Sequence, residues 1–93
     1  MADKNYRIVV LNRGWVLVGE YVHKGDMREF TGASAVVRRW GTGSDGLGSL
    51  HSGPRDATQL DKNPSGVSWH YGQEVLTIPV DAEVWAKALG NSQ

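Results

Sequence analysis

The sequence predicts a mainly β domain: a small barrel or strongly coiled antiparallel sheet of about six or seven short strands, with one C-terminal helix. Three observations carry this. Short β-branched and apolar runs recur along the chain, separated by clusters of Gly, Pro, Asn and Asp. The run Trp15 to Lys24 starts apolar on both faces, as strands do in a closed barrel, a sandwich or an interface. Helical periodicity occurs in a short stretch at the end of the chain, after Asp81.

Taken in order, Tyr6 to Leu11 (YRIVVL) is a strand, and Asn12-Arg13-Gly14 is a turn signal. In Trp15 to Lys24, Trp15, Leu17, Tyr21 and His23 lie on one face and Val16, Val18, Glu20 and Val22 on the other, while Gly19 marks a bulge or sharp coil. Lys24-Gly25-Asp26 is a tight turn, Met27 to Phe30 a short returning strand, and Thr31-Gly32 a break before a further strand, Ser34 to Trp40. A long glycine-rich connection follows over residues 41–56. Strands are then expected at Ala57 to Leu60 and Val67 to Tyr71, joined as a hairpin by Asp61-Lys62-Asn63-Pro64-Ser65-Gly66. Glu74 to Val80 is the last strand, and Pro79 makes it an edge or a strand end. Asp81 is a good N-cap, Glu83 suits the first helical turn and Gly90 the C′ position. Glu83 and Lys87 have i,i+4 spacing, and Val84, Trp85, Ala88 and Leu89 form an apolar stripe that should cover an open side of the sheet.

The 93 residues form one domain, with 1–5 and 91–93 expected to be flexible ends. A chain of this size buries roughly 60–65% of its unfolded surface, so it folds with little margin. With no cysteine, neither a disulfide nor a thiolate metal site is available, and stability rests on packing or association. The start of the chain (MADKNYRIVV) lacks the apolar stretch of a secretory signal, and no apolar run is long enough to span a membrane. A cytoplasmic protein is expected.

Ten basic and ten acidic side chains cancel, which argues against a duplex nucleic-acid binder and against an anionic membrane surface as partner. Any anion site must therefore be local. The stretch Arg38 to Gly48 (RRWGTGSDGLG) places Gly41, Gly43 and Gly46 at the G-x-G-x-x-G spacing of dinucleotide-binding folds. That spacing works only between a strand and the N-terminus of a helix. Here Gly53-Pro54 follows closely and no helical pattern intervenes, and Gly48 is followed by Ser49 instead of the lysine of a Walker loop. A nucleotide fold of these types is excluded. The weaker reading is an anion nest of loop amides with an Arg38 or Arg39 fork, and Trp40 stacked on a base. The plainer alternative makes the glycines a connection, the arginines solvated and Trp40 core.

Catalytic patterns are missing. No G-x-S-x-G occurs, since Thr42 stands where the first glycine would precede Ser44. His23, His51 and His70 have no ligand-type partner at i+2 or i+4, and Asp56, Asp61 and Asp81 fall at turns or caps. No cofactor and no metal are expected.

The order Arg7-Ile8-Val9-Val10-Leu11, Arg13-Gly14-Trp15-Val16, Arg38-Arg39-Trp40-Gly41-Thr42, Gly46-Leu47-Gly48, Gly53-Pro54 and Val80-Asp81 with Trp85 resembles a group of small bacteriophage and prophage proteins over most of residues 6–85. Relative to that pattern, Ser44-Asp45 is an insertion between RRWGT and GLG, so the loop varies in length, which weakens a phosphate cradle there. The resemblance implies origin, a cytoplasmic phage protein that acts on the host or associates with the particle, and it carries no catalytic residue.

The function expected is a non-enzymatic binding protein of phage origin that modulates or antagonises a host factor. It would cover a protein surface or sequester a small anionic, nucleotide-like ligand. The expected site is Arg38, Arg39, Trp40, Gly41, Thr42, Gly43, Gly46 and Gly48, with Arg13 and Trp15 secondary. A homo-oligomer is expected from the aromatic, two-faced β surface. The competing expectation is a structural or assembly component of the phage particle.

Overall fold

The computed structural model describes residues 5–43, 46–63 and 67–90. Six strands form a single sheet: β1 (Tyr6–Leu11), β2 (Val16–Lys24), β3 (Met27–Arg39), β4 (Gln59–Asn63), β5 (Val67–His70) and β6 (Glu74–Pro79). One helix, α1 (Ala82–Leu89), follows. The described pairings are all antiparallel, in the order β4-β3-β2-β1-β6, with β5 also on β3. The sheet does not close, so of the two expected forms it is the strongly coiled sheet and not the barrel. The chain ends 1–4 and 91–93, Ser44-Asp45 and Pro64-Ser65-Gly66 lie outside the described residues.

Two expectations are corrected. The separate strands at Met27 to Phe30 and Ser34 to Trp40 are one 13-residue strand. Thr31-Gly32 does not break it because the irregularity is absorbed as a bulge: the register runs Val18 opposite Ala35, then Glu20 opposite Thr31. Residues 32–34 thus face Gly19, and Gly32 takes φ 71°. Gly19 is needed there, since an added Cβ would lie 2.7 Å from Phe30 Cγ and 2.9 Å from Ser34 Cβ. The bulge foreseen at Gly19 is real, although its extra residues sit on the partner strand.

The second correction concerns the expected hairpin at Asp61 to Gly66. Asn63 lies opposite Ser34 and Val67 opposite Phe30, so four positions separate the pairs on both strands. β4 and β5 therefore follow one another in one direction along the same edge of β3, and Asp61 is a strand residue. Register with β3 sets the common direction of β4 and β5.

From β5 the chain reaches β6, on the opposite edge of the sheet, through a single 3-10 turn, Tyr71–Gln73. So short a link is possible because coiling brings the two edges together at this end. The core divides between the two faces. Tyr6, Ile8, Val16, Val18, Ala35 and Val37 pack with Leu50, Trp85, Ala86 and Leu89 on the helical side. Val9, Leu17, Tyr21, Phe30 and Trp69 pack on the other. The two-faced apolar start of β2 is thus explained by cover on both sides.

In α1 the Asp81 carboxylate accepts from Val84 N–H at 3.1 Å, and Gly90 ends the helix at φ 84°. The buried stripe is Trp85, Ala86 and Leu89; Val84 is exposed and Ala88 half-buried, a rotation of the expected stripe that seats the fully buried Trp85 on the sheet. Glu83 and Lys87 are not within ion-pair distance.

Candidate functional site

Antiparallel pairing of β2 and β3, with Leu17 opposite Val36, brings the first residues of β2 and the last of β3 to one end of the sheet. Arg13 and Trp15, just before β2, and Arg38, Arg39 and Trp40, at and just after the end of β3, lie at that end. Asn12 to Trp15 form the β1–β2 turn, with Arg13 at φ 70° and Gly14 at φ 81°. Two central residues in the left-handed region are what a tight hairpin requires to match strand twist, and Asn or Gly usually supplies them. Leu11 N–H donates to the Trp15 carbonyl at 2.8 Å, closing the turn. The Asn12 amide donates to Gln73 Oε1 at 3.2 Å, tying the turn to the segment before β6.

Arg38 donates to Asp61 of β4 at 2.9 Å, an exposed ion pair. Arg39 and Arg13 are exposed and make no ion pair among the described residues. Trp40 leaves β3 with its carbonyl held by Thr58 Oγ1 at 2.6 Å, and the same hydroxyl accepts from Arg55 N–H at 2.9 Å. Trp40 is 43% exposed and Trp15 49% exposed, whereas Trp69 and Trp85 are buried.

The glycine half of the stretch divides by packing. At Gly41, φ 68°, a Cβ would meet Ala57 C at 2.2 Å and Thr58 N at 2.3 Å, so this glycine permits contact between two backbone segments. Thr42 is buried. Gly43, Gly46 and Gly48 face open space.

Beyond them the expected connection over 41–56 contains a 3-10 turn, Leu47–Ser52, in place of wholly irregular chain. Ser49 donates to the Gly46 carbonyl from its N–H at 3.1 Å and its hydroxyl at 2.7 Å. Leu50 enters the core, Trp85 Nε1–H donates to the Leu50 carbonyl at 2.8 Å, and Asp81 N–H donates to His51 O at 2.7 Å. The leucine at position 50 could have signalled this anchorage, but a lone apolar residue among glycines has no periodicity to reveal it.

A second cluster escaped sequence reasoning altogether. On the face opposite α1, Glu74 Oε2 accepts from Tyr21 O–H at 2.7 Å and from Trp69 Nε1–H at 2.8 Å. Phe30 packs edge-on to Trp69 with ring centroids 4.8 Å apart, and Arg7 lies over the Tyr21 ring at 5.8 Å. Burial, the hydrogen bond to Glu74 and its negative charge raise the Tyr21 pKa, against an opposing effect of Arg28. Strands far apart in sequence supply these groups, and every donor is matched, so the arrangement reads as a structural junction.

The histidines have local contacts: His70 Nδ1 accepts from Gly72 N–H at 2.9 Å, His51 Nδ1 lies 3.2 Å from Gly48 O, and His23 packs edge-on to Tyr21. Among the described residues no three of His, Asp and Glu gather as a metal site, and no helix is long and apolar enough to cross a membrane. No family model matches the chain, and neither does any curated protein or solved structure.

Proposed function

We propose that this is a non-enzymatic, phage-encoded binding protein that modulates or antagonises a factor of the host cell, acting in the cytoplasm through the Arg–Trp end of its sheet. It does so by covering a protein surface or by sequestering a small anionic, nucleotide-like ligand. The observation that carries the reading is the exposure of Trp15 and Trp40, the two indoles at that end, in a protein whose other two indoles are buried. Indole and guanidinium groups are the side chains most enriched at binding hot spots, and here three guanidiniums accompany the indoles. Phage origin rests on the RRWGT and GLG pattern. Native mass spectrometry of the protein from host cells tests the proposal, because it reports a retained protein or small molecule directly. Arg39→Ala should lose that species while melting at the wild-type temperature; equal retention removes Arg39 from the site.

One observation favours a second reading, a self-associating component of the phage particle. Val75 and Leu76, both exposed, lie on β6, where the sheet order ends. Purified particles decide this: fixed stoichiometry supports the structural reading, and absence from particles removes it.

A further inference from the structure

We infer that the ligand of the Arg–Trp end is a dinucleotide, two bases joined through phosphate, with one base on each exposed indole and the phosphate held by Arg13 and Arg39. The inference rests on the reading of that end as the binding surface and goes further by fixing the chemistry of what it holds.

Both indoles are offered from fixed backbone. The Trp40 carbonyl is held by Thr58 Oγ1 at 2.6 Å and the next residue is packed against Ala57 and Thr58; the Trp15 carbonyl is held by Leu11 N–H at 2.8 Å. An aromatic surface on a pinned main chain loses little freedom on binding, which is what a stacking platform requires. The two indoles flank different strands, Trp15 just before β2 and Trp40 just after β3. A mononucleotide presents one base and leaves one indole unused, whereas two linked bases use both.

The cations point to the linking phosphate. Arg38 already has a carboxylate, Asp61, at 2.9 Å. Arg13 and Arg39 have no ion pair among the described residues. Arg13 is moreover the one non-glycine described residue at positive φ, at a turn position where Asn or Gly would relax the backbone. A guanidinium kept there at a conformational cost is suited to anion recognition. The charge is also local, since the whole chain carries ten basic and ten acidic groups. A long strand would run most of its phosphates beyond these two guanidiniums, so each added nucleotide gains little from counterion release. A short ligand with one linking phosphate fits the patch.

The test is a tryptophan-fluorescence titration of the whole protein with the linear dinucleotide pApA, with AMP and with a twelve-nucleotide oligo(A). The expected result is quenching by pApA, with affinity at least about tenfold above that for AMP, and no steady gain from pApA to the oligomer. Trp15→Ala and Trp40→Ala should each weaken pApA by about tenfold or more, and Arg39→Ala should weaken it while leaving the melting temperature unchanged. Should Trp15→Ala fail to fold, Trp15→Phe serves, because it keeps a smaller stacking surface and should bind with intermediate affinity. No quenching by pApA, equal affinity for AMP and pApA, or affinity that climbs with oligomer length overturns the inference. A host protein retained in native mass spectra by wild type and lost from Arg39→Ala, in the absence of pApA quenching, would sink the dinucleotide and leave the binding reading standing.

Discussion

The Tyr21 phenol on β2 donates to the Glu74 carboxylate on β6 at 2.7 Å, and the same oxygen takes the Trp69 indole N–H from β5 at 2.8 Å. β5 and β6 are on opposite edges of a sheet that does not close by backbone pairing. One carboxylate oxygen therefore fastens the coil where its edges meet. Replacement by alanine strands two largely buried donors, so Glu74→Ala should lower unfolding free energy by about 2–4 kcal/mol. Glu74→Gln keeps an acceptor oxygen and should cost about 1 kcal/mol. Urea denaturation followed by tryptophan fluorescence separates the two; equal costs would show that the contact contributes little.

The same junction sets an alkaline limit. Burial first, and then Glu74, hold the Tyr21 pKa above the ordinary tyrosine value in the folded protein. For a group raised on folding, the stability it contributes is full below the unfolded pKa and is lost as pH rises through the folded one. Wild type should lose stability above about pH 10 more steeply than Tyr21→Phe, which has nothing to ionise at that position. Parallel stability profiles from pH 8 to 11 would contradict this.

The sequence made the faces of β2 legible because alternation is local: Val16 and Val18 do separate from Leu17 and Tyr21 into the two cores. Asp81 and Gly90 were legible as caps for the same reason, each acting within a few residues of itself. The joining of 27–30 to 34–39 was hidden because a bulge depends on Gly19 of another strand. The continuation of β4 into β5 was hidden because its cause is the register of β3, and local Pro and Gly signals pointed to a hairpin instead. At the candidate site the residue types could be read from sequence, but that Arg13 and Trp15 share one end of the sheet with Arg38 and Trp40 needed the β2–β3 pairing. That Gly41 serves packing while Gly43 faces open space could not be told from glycine density at all.

Those two glycines give a direct comparison. Both have left-handed φ, 68° at Gly41 and 63° at Gly43, so alanine bears a similar backbone penalty of about 1 kcal/mol at each. At Gly41 the new Cβ would also strike the Ala57 and Thr58 backbone at 2.2–2.5 Å, which can yield only if the chain moves. Gly41→Ala should therefore cost at least about 2 kcal/mol more than Gly43→Ala by chemical denaturation. It should also displace Trp40 and, with it, any ligand bound there. Equal stabilities would mean that the 41–43 and 57–58 segments separate freely in solution.

Arg13 offers the opposite sign. Its backbone lies at φ 70°, ψ 17°, and its exposed side chain makes no ion pair among the described residues, so nothing in the fold offsets the strain. Asn tolerates this region because its short side chain bonds to nearby backbone. Arg13→Asn should thus stabilise the protein by about 0.5–1 kcal/mol, raising the melting temperature by roughly 2–8 °C for a domain of this size. The same substitution should weaken binding at the Arg–Trp end, because it removes one of the two unpaired guanidiniums. Stability gained as function is lost is the pattern of a residue kept for binding. A fall in melting temperature would instead show that Arg13 supports the turn, and would remove it from the site.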